Sequence, residues 1–176
     1  HSFPTRRSSD LKQFVETLEK WRQVEILDVG PICAENLTFF ARRMTRHHSC
    51  DMFIRLHRSM GKQQDFFREL DYSPRSFDGI HLWDLLDHLD DDQARRLMKR
   101  CFDMLRATGL LMLVSLEKKP EPETINSFVV GANYRIAHRP QTHLKLPWHC
   151  RHNRALLSLL AKFNSVKLYR YRNGLR

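Results

Sequence analysis

Two stretches decide the fold: Val24-Glu25-Ile26-Leu27-Asp28-Val29-Gly30-Pro31, and Phe77-Asp78-Gly79-Ile80-His81-Leu82-Trp83-Asp84-Leu85-Leu86-Asp87-His88-Leu89. The first has the apolar run of a buried strand and stops at a glycine. The second enters a strand, Phe77 to Trp83, from the turn Tyr72-Ser73-Pro74. It leads to the strongest helical stripe of the chain: Ala94, Leu97, Met98, Cys101, Phe102 and Leu105. Asp90, Asp91 and Asp92 precede that stripe, where a helix N-terminus favours negative charge. Gly109 ends the helix, and Leu110 to Ser115 is a continuous apolar strand, as in a sheet covered on both faces.

The same alternation extends outward. Leu11, Phe14, Val15, Leu18 and Trp21 recur at helical spacing before the first strand. After it, a helix carries Leu37, Phe40, Ala41 and Met44 on one face, and Met52-Phe53-Ile54 reads as a short second strand. Toward the end come a strand at Tyr134 to His138, a helix at Asn153 to Phe163 and a strand at Val166 to Arg172. This rhythm predicts an α/β fold with a mainly parallel sheet.

The 176 residues are 41% hydrophobic, which suits a single domain with a real core. No apolar run reaches the ~20 residues of a membrane span. Four scattered cysteines without a CxxC pair point to a reducing, cytoplasmic setting. Charge is uneven: Lys118 to Arg176 hold 12 Lys and Arg against 2 acidic residues, whereas residues 1–117 are neutral. A basic half suits an anionic substrate, an acidic partner or nucleic acid.

In an open α/β sheet, the turn after the first strand is where nucleotides bind. The order of Leu27-Asp28-Val29-Gly30, Phe77-Asp78-Gly79-Ile80, a helix and Leu105-Arg106-Ala107-Thr108-Gly109 resembles the class I S-adenosylmethionine-dependent methyltransferases. Their pattern is D-x-G-x-G, then F-D-x-V, then L-R-P-G-G. The likeness covers Val24 to Ser115 and implies a Rossmann-like three-layer sandwich with S-adenosyl-L-methionine as cofactor. It further implies methyl transfer to an acceptor that the sequence does not name, a small molecule or an anionic one. By position, Asp28, Gly30, Pro31 and Ile32 would line the cofactor, and Trp83 and Asp84 would face the transferring methyl. Asp28 also reads as a strand-end cap, and Trp83 as plain core. Asp84, Asp87 and His88 are the candidates for a general base, where methyl transfer needs one; the same run also reads as a helix entry.

The chain departs from the pattern in several places. Ile32 and Ala34 stand where the second and third glycines belong. Arg55 follows Met52-Phe53-Ile54 where an acid should hold the ribose. The span Arg55 to Ser76 is short for a third strand with its helices. These departures keep open a non-catalytic binding or scaffold member of the fold, and the basic half keeps open a nucleic-acid-binding protein. Tyr134, Arg135, Arg139, Lys145, Trp148, Arg151, Arg154, Tyr169, Arg170 and Arg172 interleave rings with cations, as single-strand binders do. His149-Cys150-x-His152, with His143 nearby, and His47-His48-x-Cys50 lack the paired spacings of zinc sites, so no metal is assigned.

Both ends carry a further expectation. Back-translated, His1 to Leu11 matches a common sequencing adapter, so residues 1–11 are set apart as non-native. They are expected to supply at most a helix cap from Ser9 or Asp10. Residues 12–176 are then one methyltransferase-like domain. Asn173-Gly174 is a hairpin signal with only Leu175 and Arg176 after it, which predicts a domain cut before its last antiparallel strand.

Overall fold

The structure, a computed structural model, describes residues 6–62, 65–171 and 175–176, with side chains from Ser8 onward. Its centre is a parallel four-stranded sheet in the order β3-β2-β4-β5. The strands are β2 (Glu25–Val29), β3 (Arg46–Cys50), β4 (Phe77–Leu82) and β5 (Leu105–Leu113). β2 pairs with β4 from Ile26 opposite Gly79 to Val29 opposite Leu82. Both strands are buried almost throughout, which is why their sequence is apolar on both faces. Asp78 ties the start of the sheet together: its carboxylate accepts the Glu25 N–H and pairs with Arg106.

Helix α1 (Ser9–Glu19) turns Phe14 and Leu18 onto Gly79, whose missing side chain makes room for them. α2 (Ala34–Ala41) buries Asn36, Phe39 and Phe40 and leaves Leu37 at the surface, one step round from the expected face. α4 (Asp91–Met104) opens with a capping box between Asp90 and Gln93 and buries Ala94, Leu97, Met98 and Cys101, leaving Phe102 exposed; it ends at Met104 rather than at Gly109, and Leu105 and Gly109 belong to β5. α5 (Asn153–Leu159) follows the basic loop.

A second sheet, antiparallel in the order β1-β7-β6, joins β1 (Arg6–Arg7), β6 (Asn126–Val130) and β7 (Arg135–Pro140). The opening segment is therefore part of the fold where it is described. Arg7 pairs with Arg135, Ser8 rather than Ser9 or Asp10 caps α1, and Leu11 is fully buried. A core position asks only for apolar volume, so a leucine of any origin can fill it.

Other expectations are corrected. Met52-Phe53-Ile54 is not a strand; it opens helix α3 (Met52–Ser59), capped by Asp51, and the second strand is Arg46–Cys50. Among the described residues a single 3-10 turn, Phe66–Leu70, lies between α3 and β4, in keeping with the short span there. Val166 to Tyr171 forms no strand; beyond it, Leu175 makes one antiparallel bridge to Leu116. Asn173-Gly174 lies outside the described residues. No described helix is long and apolar enough to cross a membrane.

Candidate active site

The strand order reverses direction between β2 and β4, and open α/β sheets bind ligands outside the carboxyl ends at such a point. Gly30 leaves β2 there and Trp83 leaves β4. The fold brings together Asp28, Gly30, Pro31, Trp83 and Asp84, all buried, and places Ile32 at the lip, half exposed.

Trp83 dominates the crevice floor. A Cβ built on Gly30 would lie 2.1 Å from the indole Cδ1. Gly30 does not have a positive φ, so the glycine is required here by the ring above it rather than by the backbone. The indole N–H donates to Asp28 Oδ1 at 3.1 Å, and the ring stacks on Phe128 with centroids 5.1 Å apart and planes 4° from parallel. Phe128 belongs to β6, which α2 holds through one side chain. Asn36 donates to the Phe128 carbonyl and accepts the Val130 N–H, both at 2.8 Å. Glu35 and Arg139 add an ion pair between α2 and β7, and Arg139 lowers the Glu35 pKa to about 2. Trp83 is 1% exposed, a core residue at the carboxyl end of β4.

Asp51 directly follows β3, in the position where the family's pattern has an acidic residue. One carboxylate oxygen caps α3 at Ile54 N–H, 3.0 Å away, and the other accepts the Ile32 N–H at 3.4 Å. Arg55, the residue first set against that position, lies one turn into α3 and pairs with Glu69. The signal for Asp51 was the aspartate–apolar helix start, hidden by a strand of unusually polar residues, Arg-His-His-Ser-Cys.

The base candidates occupy a 3-10 turn, Asp84–His88, that is buried along its length. Asp87 accepts the Ser115 hydroxyl at 2.9 Å and the Leu116 N–H at 2.6 Å. Burial, reinforced by the Asp84 charge, nevertheless pushes its pKa up to about 7. His88 Nδ1 lies 2.9 Å from the Pro147 carbonyl, which fixes the proton there, and Nε2 faces Asp84 at 3.8 Å. Burial disfavours the imidazolium, but the Asp84 carboxylate outweighs it and the His88 pKa rises. Asp84 Oδ1 is buried without a hydrogen-bond partner. Of the three, Asp84 stands next to Trp83 in the chain, whereas Asp87 is committed to the loop after β5. Arg151 locks the same turn from outside, donating to the Leu86 and Leu89 carbonyls and pairing with Asp91. This role of Arg151 was not legible as anything beyond a basic loop.

A cavity of about 1010 Å³ lies elsewhere, along β5, lined by Phe14, Phe102, Leu110, Leu160, Phe163 and Leu168 among others. None of the crevice residues borders it.

No family model and no curated protein matches the chain in sequence. Three solved structures that it resembles are methyltransferases. A SAM-dependent methyltransferase from Archaeoglobus fulgidus superposes with a TM-score of 0.55 at 15% identity, over 88% of this chain and 65% of that one. The 1,6-didemethyltoxoflavin-N1-methyltransferase of Burkholderia thailandensis, solved with its substrate and S-adenosylhomocysteine, gives 0.50 at 15% identity, over 87% and 66%. A Mesorhizobium loti S-adenosylmethionine-dependent methyltransferase gives 0.50 at 13% identity, over 88% and 80%. The chain thus spans about two thirds of the length of the first two. The parallel sheet, its switch-point crevice and these superpositions agree that the fold is that of the S-adenosylmethionine-dependent methyltransferases.

Proposed function

We propose that the crevice between β2 and β4 binds S-adenosyl-L-methionine and that the protein transfers its methyl group to a small-molecule or anionic acceptor. One observation carries this reading: Asp28-Val29-Gly30 and Asp51 end adjacent parallel strands, and Asp51 is hydrogen-bonded to Ile32 in the turn between them. That places a carboxylate beside a glycine turn at the switch point, the arrangement suited to a ribose diol next to a close backbone approach. Asp51 would hold the ribose, Gly30, Pro31 and Ile32 the adjoining part of the cofactor, and Trp83 and Asp84 would border the reacting end.

Bound there, the sulfonium supplies an activated methyl and a neutral thioether leaving group. Catalysis then rests mainly on alignment, for which a crevice at the strand ends is suited. Asp84 is the candidate to take a proton from an acceptor O–H or N–H: it is buried, and one oxygen has no hydrogen-bond partner.

The non-catalytic alternative draws on the Trp83 ring, which occupies the crevice floor. The nucleic-acid alternative loses ground because Arg139, Arg151 and Arg170 are engaged in ion pairs and Arg176 is bonded to Asn153. A cytoplasmic setting accords with Cys33, Cys50, Cys101 and Cys150 all being free thiols. Calorimetric titration with S-adenosylhomocysteine tests the reading. A one-site isotherm that weakens about tenfold or more in Asp51→Asn, the loss of a charge-assisted hydrogen bond, is expected. An isotherm unchanged by that substitution would refute the assignment.

A further inference from the structure

We infer that Trp83 is a displaceable plug: an S-adenosyl ligand enters this crevice only as the indole leaves the space above Gly30 and releases Asp28. The inference rests on the cofactor reading above and adds a gate to it. At the lip, Ile32 is 50% exposed and Asp51 partly exposed, while the floor is shut. What shuts it is one side chain. The indole covers Gly30, bonds Asp28 and stacks on Phe128, so the three features that a ligand would use or cross are engaged by the same ring.

A second observation shows that the closed arrangement is imperfectly satisfied. His81 is fully buried beneath the indole, with ring centroids 4.1 Å apart, and neither of its nitrogens has a hydrogen-bond partner. Its Nδ1 stands 3.5 Å from Asp28 Oδ1. A buried polar ring without partners is costly. Swinging the indole out frees Asp28 to take a proton donor from His81 or from a ligand, which offsets part of what opening loses. The hinge is short, because Trp83 sits in extended backbone between the end of β4 and the Asp84–His88 turn. Its anchor on the far side, Phe128, depends on Asn36 alone for the two hydrogen bonds that join β6 to α2.

A protein whose binding-competent form is a minor one binds more weakly by the fraction that is open. Trp83→Ala removes the plug and is expected to tighten S-adenosylhomocysteine binding about tenfold or more. Trp83→Phe keeps a stacking ring but lacks the indole N–H, and an intermediate gain is expected; it also guards against an alanine variant that does not fold. A chain carrying Trp21→Phe and Trp148→Phe leaves Trp83 as the sole tryptophan, and its emission is expected to move to longer wavelength as S-adenosylhomocysteine is added. Binding by a variant where the unaltered protein gives no heat also supports the plug. If the unaltered protein binds, both Trp83 variants bind no tighter and the emission stays put, the plug is rejected and the cofactor reading stands. If neither the unaltered protein nor either variant binds, the cofactor reading fails and the plug with it.

Discussion

Replacing Gly30 by alanine probes the crevice floor through stability alone, without any ligand. The added methyl would sit 2.1 Å from Trp83 Cδ1, 2.9 Å from Cγ and 3.2 Å from Cβ, so the whole ring must shift. Overpacking of this kind costs about 1–3 kcal/mol, and moving the indole off Asp28 gives up a hydrogen bond to a charged group worth about 1.5–3 kcal/mol. A loss of about 2.5–6 kcal/mol is expected, a large part of a typical ~5–15 kcal/mol domain stability. Because Gly30 has no positive φ, alanine carries no backbone penalty. In a Trp83→Ala background only the 3.2 Å approach to the remaining Cβ persists, so most of that loss should disappear. Urea unfolding of the four proteins of this cycle, read as midpoints at constant slope, gives the coupling. A Gly30→Ala loss under about 0.5 kcal/mol, or an equal loss in both backgrounds, would refute the packing described here.

Three further outcomes follow from the geometry. Asp87 has a folded pKa of about 7, above its ordinary 3.8, so between those values the folded state holds a proton that the unfolded state has lost. Stability should fall as pH rises from about 4 to about 7, and Asp87→Asn should flatten the slope of urea midpoint against pH in that range; His88, raised from 6.5, adds a fall of the same sign only above about 6.5. Asn36→Ala orphans the Val130 N–H and the Phe128 carbonyl in a buried setting, at about 1–3 kcal/mol each, and should speed amide exchange across β6 and β7. Asp51→Ala should weaken S-adenosylhomocysteine binding and lose the α3 cap, the latter worth about 1 kcal/mol in thermal unfolding, whereas Asp51→Asn should weaken the binding about tenfold or more and keep most of the cap.

The sheet was legible where burial shaped the sequence. β2 and β4 are covered on both faces, and their apolar runs say so; the Ala94 stripe and its aspartates likewise name α4 and its start. β3 was illegible for the opposite reason. It lies at the sheet edge, reads Arg-His-His-Ser-Cys and is only half buried. The apolar run after it, Met52-Phe53-Ile54, is the buried side of a helix whose Leu56 lies one turn on. That one-element slip hid Asp51 and put Arg55 in its place. β6 was missed because five residues after a proline-containing loop carry little period of their own; Asn36 and Trp83 secure it, from 92 and 45 residues away in sequence. Val166 to Tyr171, by contrast, carries strand propensity yet forms no strand, because propensity alone does not fix one. The crevice residues could be read by position, but not that one of them fills the space the others surround.

The most direct test of the central claim is to map S-adenosylhomocysteine onto the protein by amide and indole nuclear magnetic resonance shifts. The account expects saturable changes at Gly30, Ile32 and Asp51 and at the Trp83 indole N–H, with the β5 cavity near Phe163 and Leu168 unaffected. Shifts confined to that cavity, or none at saturating ligand, would contradict it.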